Sequence, residues 1–372
     1  MSVKILHTAD FHLGSSFEGL PPEKASERKE GQFGVLEEIV SLAGQHRVNA
    51  ILISGDLFER PTVSPDITAR VSKILSGTDI PVFISPGNHD YFHARSPYSV
   101  GAWPENVHIF RSPFIERFEL ENLVVYGAGF TDPNVYRPLL SGFHITPAIT
   151  EGLPDKPSVM VLHGELNPTE PRYNPVSVYD IAASGLNYLA LGHVHARTDP
   201  MRTGGTVYAY CGCPEGRGFD ETGRKGCYLV EFDNEVKVRF LPLGGVQYLT
   251  LSVDISGSAD PVSAIIGSLP DNSANGVFRI ALKGEYPPQN LRISEISERI
   301  TPHVYHAVVQ DRTTLPRSIW EQAGEDTLCG LFLSILHEKL SNEGISDDMR
   351  NIVELAARYG YAALNGEEAP SL

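Results

Sequence analysis

Five short segments of the chain carry side chains that bind divalent metal ions in proteins. Each segment directly follows a predicted β-strand and contains carboxylate, amide or imidazole groups. The segments are Asp10-Phe11-His12, Gly55-Asp56, Gly87-Asn88-His89-Asp90, His163-Gly164 and Gly192-His193-Val194-His195. One such segment is usually an ordinary turn. Five at strand ends indicate one shared site, because loops at the carboxyl ends of strands in an α/β sheet converge.

The mixture of ligand types indicates the kind of metal. Carboxylate, amide oxygen and imidazole together suit two divalent ions of borderline hardness, with manganese favoured and iron or zinc as alternatives. Asp10 and His12 alternate along the chain, as do His193 and His195, so each pair can point to one side of an extended segment. Three of the segments begin with glycine, which is expected to let the backbone turn tightly.

Short strands and amphipathic helices must position these segments. Strands are predicted at 3–7, 50–54, 82–85, 107–110, 123–126, 159–162, 188–191, 206–210, 227–232 and 236–241. Apolar residues at helical spacing predict a helix before the second strand and another before the third. The order strand, helix, strand, helix, strand, followed by mostly strands, predicts an α/β sandwich with mixed sheets.

A second part of the chain begins after Gly244 and Gly245. Residues 246–311 show a β-α-β-α-β order, which predicts a small α+β domain. Residues 312–372 are predicted to be helical. One helix there, capped by Asp326 or Thr327, would carry an apolar stripe, and Ser346 would cap a second helix. The stripe consists of Leu328, Leu331, Phe332, Ile335, Leu336 and Leu340.

Composition excludes several classes of protein. The chain has 372 residues, a formal net charge of −16 and 41% hydrophobic residues, so it is not a disordered tail. No apolar run approaches the ~18 residues that span a bilayer. Residues 1–9 lead straight to Asp10 without features of a secretion signal, so we expect a cytoplasmic protein. The acidic balance argues against non-specific nucleic-acid binding but not against a groove whose positive charge comes from metal ions.

Four cysteines are too few and too irregularly spaced for a disulfide framework, and reduced thiols are the simplest interpretation. Cys211, Cys213 and Cys227 could hold a zinc ion, although a second close pair is missing.

The order D-x-H, G-D, G-N-H-D, H-G and G-H-x-H resembles the calcineurin-like metallophosphoesterase superfamily over roughly residues 1–243. Within it, the chain is similar to the SbcD-type DNA-repair nucleases, which act with an SMC-like ATPase. Four segments carry this finer resemblance: ILHTAD at 5–10 with HLG at 12–14, GDLF at 55–58, YLALGH at 188–193, and Phe219 and Glu221 followed by KGCYLV at 225–230. The resemblance implies an αββα sandwich with a small capping domain (246–311) and a helical tail.

The resemblance also implies roles for the site residues. One ion would be held by Asp10, His12, Asp56 and His195, and the other by Asp56, Asn88, His163 and His193. Such a pair of ions activates water and neutralises charge on the phosphate. His89 would protonate the leaving oxygen or stabilise charge on the phosphate.

The sequence departs from the family pattern in two places. Glu59 stands where related nucleases have His or Asp, and we expect its carboxylate to orient His89, with Asp90 as the competing candidate. Cys211-Gly212-Cys213-Pro214 stands where a G-S-P turn is usual, which puts the local substrate contacts in doubt. Candidate phosphate contacts near the motif loops are Arg60, Arg95, Arg172, Arg217 and Arg224, and Tyr91 and Phe92 could stack on a base.

We therefore expect a two-metal phosphodiesterase acting on DNA, with an SMC-like ATPase as partner and a homodimer as an open alternative. The rival hypothesis is a phosphoesterase for nucleotides or other small phosphate esters. A third is a scaffold with a structural metal site. The apolar stripe either packs on the protein's own capping domain or binds the ATPase.

Overall fold

A computed structural model describes residues 2–145, 156–342 and 344–366 of the chain. The chain divides into two compact units, Met1–Gly245 and Val246–Leu372. The division falls directly after the glycine pair that the sequence singles out. The finer separation of the second unit into a capping domain and a helical region stays a prediction.

The first unit consists of short strands with helices between them. Its strands are β1 Val3–Thr8, β2 Ala50–Ile53, β3 Val82–Ile84, β4 Val107–Ile109, β5 Glu116–Glu119, β6 Val124–Gly127, β7 Ser158–His163, β8 Glu165–Leu166, β9 Pro175–Val176, β10 Tyr188–Gly192, β11 Met201–Thr203, β12 Thr206–Tyr210, β13 Gly226–Phe232 and β14 Val236–Pro242. Its helices are α1 Pro22–His46, α2 Pro65–Leu75, α3 Pro97–Val100 and α4 Val178–Ala183.

Two six-stranded sheets form the centre of this unit. Their strand orders are β14-β13-β1-β2-β3-β4 and β11-β12-β10-β7-β6-β5. Parallel pairs such as β1 with β2 occur beside antiparallel pairs such as β1 with β13, so both sheets are mixed. The predicted α/β sandwich with mixed sheets is confirmed.

Alternating side chains along the strands build separate core layers. On β1, Leu6 packs with Leu36 of α1 and Val71 of α2, whereas Ile5 packs between the sheets with Val161 of the second sheet. Neighbouring strand residues point to opposite faces, so a β1 that is apolar at both positions must be covered on both sides. A third layer, with Ile181 of α4, covers the outer face of the second sheet.

The sequence misses strands at the margins of this unit. β5 is an edge strand with the sequence ERFE, in which three of the four residues are charged and exposed positions alternate with half-buried ones, and β11 is an edge strand of three residues. Edge strands are often short and charged because these features discourage pairing with other chains. They therefore lack the apolar runs that predict central strands.

The second unit contains a parallel three-stranded sheet in the order β15-β16-β17. Its elements are β15 Gln247–Asp254, α5 Pro261–Ser268, β16 Gly276–Lys283, α6 Ile293–Ile300, β17 His306–Asp311, α7 Arg317–Trp320, α8 Leu328–Leu340 and α9 Asp347–Leu364. Helices α8 and α9 begin after Thr327 and Ser346, whose side chains accept hydrogen bonds from the backbone N–H groups of Gly330 and Met349. Thr327, rather than Asp326, is therefore the cap of α8.

The predicted apolar stripe on α8 divides between two environments. Phe332 and Leu336 pack in a cluster of the second unit around Leu333, which is fully buried. Leu328, Leu331 and Ile335 are 71%, 61% and 50% exposed. Among the described helices, none has both the length and the apolar character needed to cross a membrane.

Candidate metal centre

The predicted ligand segments meet because the strands that precede them run in parallel. In the first sheet β2 pairs in parallel with both β1 and β3, and in the second sheet β7 pairs in parallel with β10. Asp10 and His12 follow β1, Asp56 follows β2, Asn88 and His89 follow β3, His163 ends β7, and His193 and His195 follow β10. Each sheet contributes part of one polar cluster.

Four of the seven predicted ligands have a left-handed backbone conformation. The φ angles are 56° at Asp10, 50° at His12, 49° at Asp56 and 100° at His193. The sequence predicts that Asp10 and His12 alternate along an extended segment. The structure shows that they lie in a turn. The backbone N–H of Asp10 donates to the carbonyl oxygen of Gly55 at 3.0 Å, and that of His12 to Asp56 at 2.9 Å, which holds the two turns together.

The three glycines of these segments serve two different purposes. Gly55 has a φ of +91°, which favours glycine, as predicted. Gly87 and Gly192 instead leave room for close neighbours. A Cβ on Gly87 would lie 2.2 Å from Asp56 Oδ1, and a Cβ on Gly192 would lie 1.8 Å from the backbone oxygen of Ser54.

One group of ligand atoms surrounds His12. Ligand atoms of Asp10, His12 and His195 all lie within 4.8 Å of one another. The Nε2 atoms of His12 and His195 face each other at 3.2 Å, and His12 Nε2 lies 3.6 Å from Asp56 Oδ2. These donors converge on one small volume, which fits a metal ion.

A second group surrounds His163. Asn88 Oδ1 lies 2.9 Å from His163 Nε2 and 3.1 Å from His193 Nδ1. Asp56 Oδ2 lies 3.4 Å from His163 Nε2, so the Asp56 carboxylate is close to both groups. This is the position expected of a carboxylate that bridges two ions.

The charged groups of this cluster shift one another's pKa values. Desolvation raises the pKa of Asp10. Desolvation also opposes ionisation of Asp56, but the imidazoles of His163 and His12 outweigh it and hold the pKa of Asp56 well below its usual value. Although burial disfavours charged His163, Asp56 and Asp10 raise its pKa to about 9. A proton on His163 thus compensates buried negative charge that a divalent cation would compensate in its place.

His89 lies at the edge of the cluster: its ligand atom is within 4.8 Å of those of His12 and Asp56, and its ring centroid is 4.6 Å from that of His12. Its Nδ1 donates to the backbone carbonyl oxygen of Glu59 at 3.1 Å, whereas the Glu59 carboxylate is 3.9 Å away. Glu59 Oε2 lies closer to His12 Nδ1, at 3.0 Å. The residue predicted to orient His89 therefore does so through its backbone, and its carboxylate contacts a different histidine.

Asp90 does not compete for this role. It is fully buried and accepts hydrogen bonds from the backbone N–H groups of Gly87 and Phe58 and from the hydroxyl of Tyr98. Its burial raises its pKa to about 6. Asp90 thus closes the turn that carries Asn88.

The other sequence candidates lie in different environments. Arg60, Arg95, Arg172 and Arg224 are exposed, which leaves them as candidate phosphate contacts. Phe92 packs against the first core layer, while the Tyr91 ring lies 5.2 Å from that of His93.

The thiols of Cys211, Cys213 and Cys227 are free and buried, and within the described chain none belongs to a group of metal-ligand atoms. Cys211 and Cys227 lie in separate core layers, so a zinc site formed by the three cysteines is not supported.

Two residues, Glu221 and Arg217, make contacts in the centre that the sequence does not predict. Glu221 Oε1 lies 2.7 Å from His195 Nδ1, and Arg217, one of the candidate phosphate contacts, forms ion pairs with Glu221 and Glu59. Burial opposes ionisation of Glu221, but His195 and Arg217 outweigh this desolvation and hold the pKa of Glu221 well below its usual value. The segment is recognisable from its resemblance to the nucleases, but the sequence alone does not indicate which side chains it contacts.

Comparison with known proteins agrees with this geometry. The chain is 28% identical over 377 residues to an uncharacterized metallophosphoesterase, YhaO, of Bacillus subtilis, covering 93% of this chain and 89% of that protein. It is 25% identical to the DNA double-strand break repair protein Mre11 of Saccharolobus solfataricus, covering 84% and 83%. Identity to a subunit of the nuclease SbcCD of Bacillus subtilis is 26%, covering 59% and 64%.

The model of the calcineurin-like phosphoesterases matches residues 3–197, which include every predicted metal ligand. These enzymes are hydrolases with a dinuclear metal site, and the clustered donors provide candidate ligands for one. The chain belongs to the calcineurin-like phosphoesterase family.

Proposed function

We propose that this protein is a two-metal phosphodiesterase that cleaves DNA in repair. The observation that carries the proposal is the position of Asp56, whose Oδ2 lies 3.6 Å from His12 Nε2 and 3.4 Å from His163 Nε2. One carboxylate thus adjoins two sets of donors. Among relatives of this chain, one is named a DNA double-strand break repair protein and another a nuclease subunit, which favours DNA over small phosphate esters.

The proposed ligands divide into two sets that share Asp56. One ion would be held by Asp10, His12, Asp56 and His195, and the other by Asp56, Asn88, His163 and His193. When bound, two divalent ions, manganese before iron or zinc, supply an activated water and neutralise charge on the phosphate.

His89 is the proposed catalytic acid. Its Nδ1 hydrogen bond to the Glu59 carbonyl oxygen fixes the ring, so that Nε2 is the nitrogen available to substrate. The side chain is 41% exposed while the neighbouring His12 is buried, so a substrate can reach it. Protonated His89 would donate to the leaving oxygen or stabilise charge on the phosphate.

Hydrolysis of linear DNA and of a small phosphodiester, each with and without Mn²⁺, tests this function. We expect metal-dependent cleavage of both, and a loss of roughly 10²- to 10⁴-fold in His89→Ala with metal still bound. His93→Ala is the matched control, because the His93 ring contacts the carbonyl oxygen of Pro61 outside the ligand groups. Cleavage of the small ester alone would favour the rival phosphoesterase function, and cleavage of neither would favour a scaffold.

The partner and location belong to the same proposal. Leu328, Leu331 and Ile335 are exposed on α8, as expected if this face binds an SMC-like ATPase in the cytoplasm. Residues 246–311 would act as a capping domain that controls substrate entry.

A further inference from the structure

Two carboxylates and one guanidinium form a layer behind two of the proposed ligands. Glu59 Oε2 lies 3.0 Å from His12 Nδ1, and Glu221 Oε1 lies 2.7 Å from His195 Nδ1. Arg217 joins the two acids: its Nη1 is 3.3 Å from Glu59 Oε2, and its Nε and Nη2 both contact the Glu221 carboxylate. We refer to Glu59, Arg217 and Glu221 as the clamp.

We propose that the clamp positions His12 and His195 and thereby sets the metal affinity of one ion site, the site of Asp10, His12, Asp56 and His195. The inference rests on the proposed two-metal site and assigns its members a role as positioning residues. The other ion site should not depend on the clamp.

The geometry explains how the clamp acts. A carboxylate at Nδ1 fixes the tautomer and the ring orientation of a histidine, so that Nε2 presents its lone pair to a metal. The Nδ1 atoms of His12 and His195 lie 3.0 Å and 2.7 Å from such a carboxylate, and Arg217 Nη2 lies 3.1 Å from His195 Nδ1. The two Nε2 atoms face each other at 3.2 Å, the arrangement that this orientation of the rings would give. Because Arg217 contacts both acids, it holds the two rings in one arrangement and balances the added negative charge.

The second ion site has a different support. The nearest partner of His163 Nδ1 is the backbone oxygen of Ser54 at 2.9 Å, and His193 Nδ1 faces Asn88 Oδ1, itself a proposed ligand. A backbone carbonyl cannot be removed by substitution and carries no net charge. Loss of the clamp should therefore weaken one site selectively.

A buried ion pair fixes the loop that carries Arg217 and Glu221. Arg28 of α1 pairs with Glu215 and donates to the carbonyl oxygen of Gly216 at 2.9 Å. Arg28 is only 2% exposed, so the start of the loop is anchored in the interior. Arg217 follows directly, which places its guanidinium between the two acids without a long flexible connection.

Manganese titration of metal-free protein in two single-site backgrounds tests the clamp. Asn88→Ala should leave the clamp-supported site, and His12→Ala should leave the other. We expect Glu221→Gln to weaken Mn²⁺ binding roughly 10- to 100-fold in the Asn88→Ala background and to leave it unchanged in the His12→Ala background. Glu231→Gln, which removes an ion pair with Lys4 on β1, is the matched control and should change neither.

The results separate the clamp from its alternatives. Unchanged affinity in the Asn88→Ala background, or equal weakening in both backgrounds, would overturn the clamp while leaving the two-metal site intact. Failure of both backgrounds to bind Mn²⁺ would overturn the two-metal site itself. If Glu221→Gln does not fold, as judged by thermal melting, Arg217→Lys replaces it. That variant keeps the charge but loses the two-point contact, and the same selective weakening is expected.

Discussion

Glu59 and His12 are joined side chain to side chain, with Glu59 Oε2 3.0 Å from His12 Nδ1. The hydroxyl of Ser15 lies 3.0 Å from the same carboxylate oxygen and 2.7 Å from the backbone oxygen of His12, so it lies between these two residues. The carboxylate that the sequence assigns to the catalytic histidine is therefore better placed to act on a proposed metal ligand.

This contact predicts how Glu59→Gln behaves. We expect the metal concentration for half-maximal rate to rise about tenfold or more, because His12 loses its orienting carboxylate. At saturating Mn²⁺ the rate should recover, since the backbone carbonyl of residue 59 still holds His89. Rates measured across a range of Mn²⁺ concentrations check this. A rate that stays low at saturating metal would mean that the carboxylate acts on His89 after all.

Metal removal should lower the stability of the fold. Asp10 and Asp56 are 0% and 1% exposed, and ions that bind only the folded state stabilise it by mass action. At 100 times the dissociation constant this amounts to about 2.7 kcal/mol per site. Melting curves with chelator and with Mn²⁺ measure the effect.

Elemental analysis should find two ions in the native protein and about one in His193→Ala, and two ions in that variant would contradict the ligand assignment.

Gly192→Ala should destabilise the protein by roughly 3 kcal/mol or more. The new Cβ would lie 1.8 Å from the backbone oxygen of Ser54, and neither of the two backbones can move without shifting a sheet. Gly34→Ala is the control, because its Cβ meets no neighbour within 4 Å and alanine favours the helix. Denaturant unfolding of both variants checks the prediction. Equal stability of the two would show that the sheets adjust.

His7 should make the protein less stable in acid. Burial lowers the pKa of His7 to about 3, against about 6.5 in the unfolded chain, so only the unfolded chain gains this proton between those values. Stability should therefore fall as the pH drops below 6.5, by about 1.4 kcal/mol per pH unit from this group. Denaturant unfolding at several pH values should show that the free energy of unfolding of His7→Gln changes less steeply with pH, by the amount that corresponds to one proton. An unchanged slope would assign the acid sensitivity to other groups.

The exposed part of the α8 stripe offers a test of the partner. Leu331→Glu with Ile335→Glu should keep the fold, since both side chains are exposed, but should abolish co-purification with an SMC-like ATPase. Truncation after Pro316 is a poorer test. It removes buried Leu333 and also Arg358, which pairs with Asp311 of β17. Retained co-purification of the double variant would exclude this face as the docking surface.

Sequence patterns predict the parts of this fold that rest on local rules. The central strands β1, β2 and β10 are apolar runs, and the residues directly after them are the ones that meet at the site. The contacts of Glu59 and Arg217 cannot be predicted in the same way. They depend on how separate loops meet: Glu59 follows β2 and contacts His12, and Arg217 contacts Glu59 and His195, and no periodicity encodes contacts over such separations.

Ser54 connects the two sheets at the level of the proposed site. Its hydroxyl donates to the carbonyl oxygen of Ala190 at 3.1 Å, and its own carbonyl oxygen accepts from His163 Nδ1. Each proposed ion site takes ligands from both sheets, so the geometry of both sites is set by the packing of one sheet on the other, through residues such as Leu52 and Val161. A core substitution that slides the sheets by a fraction of an ångström would leave the protein folded, yet would move His163, His193 and His195 relative to the proposed ligands of the first sheet. Such a substitution should therefore change the rate of hydrolysis more than it changes the free energy of unfolding.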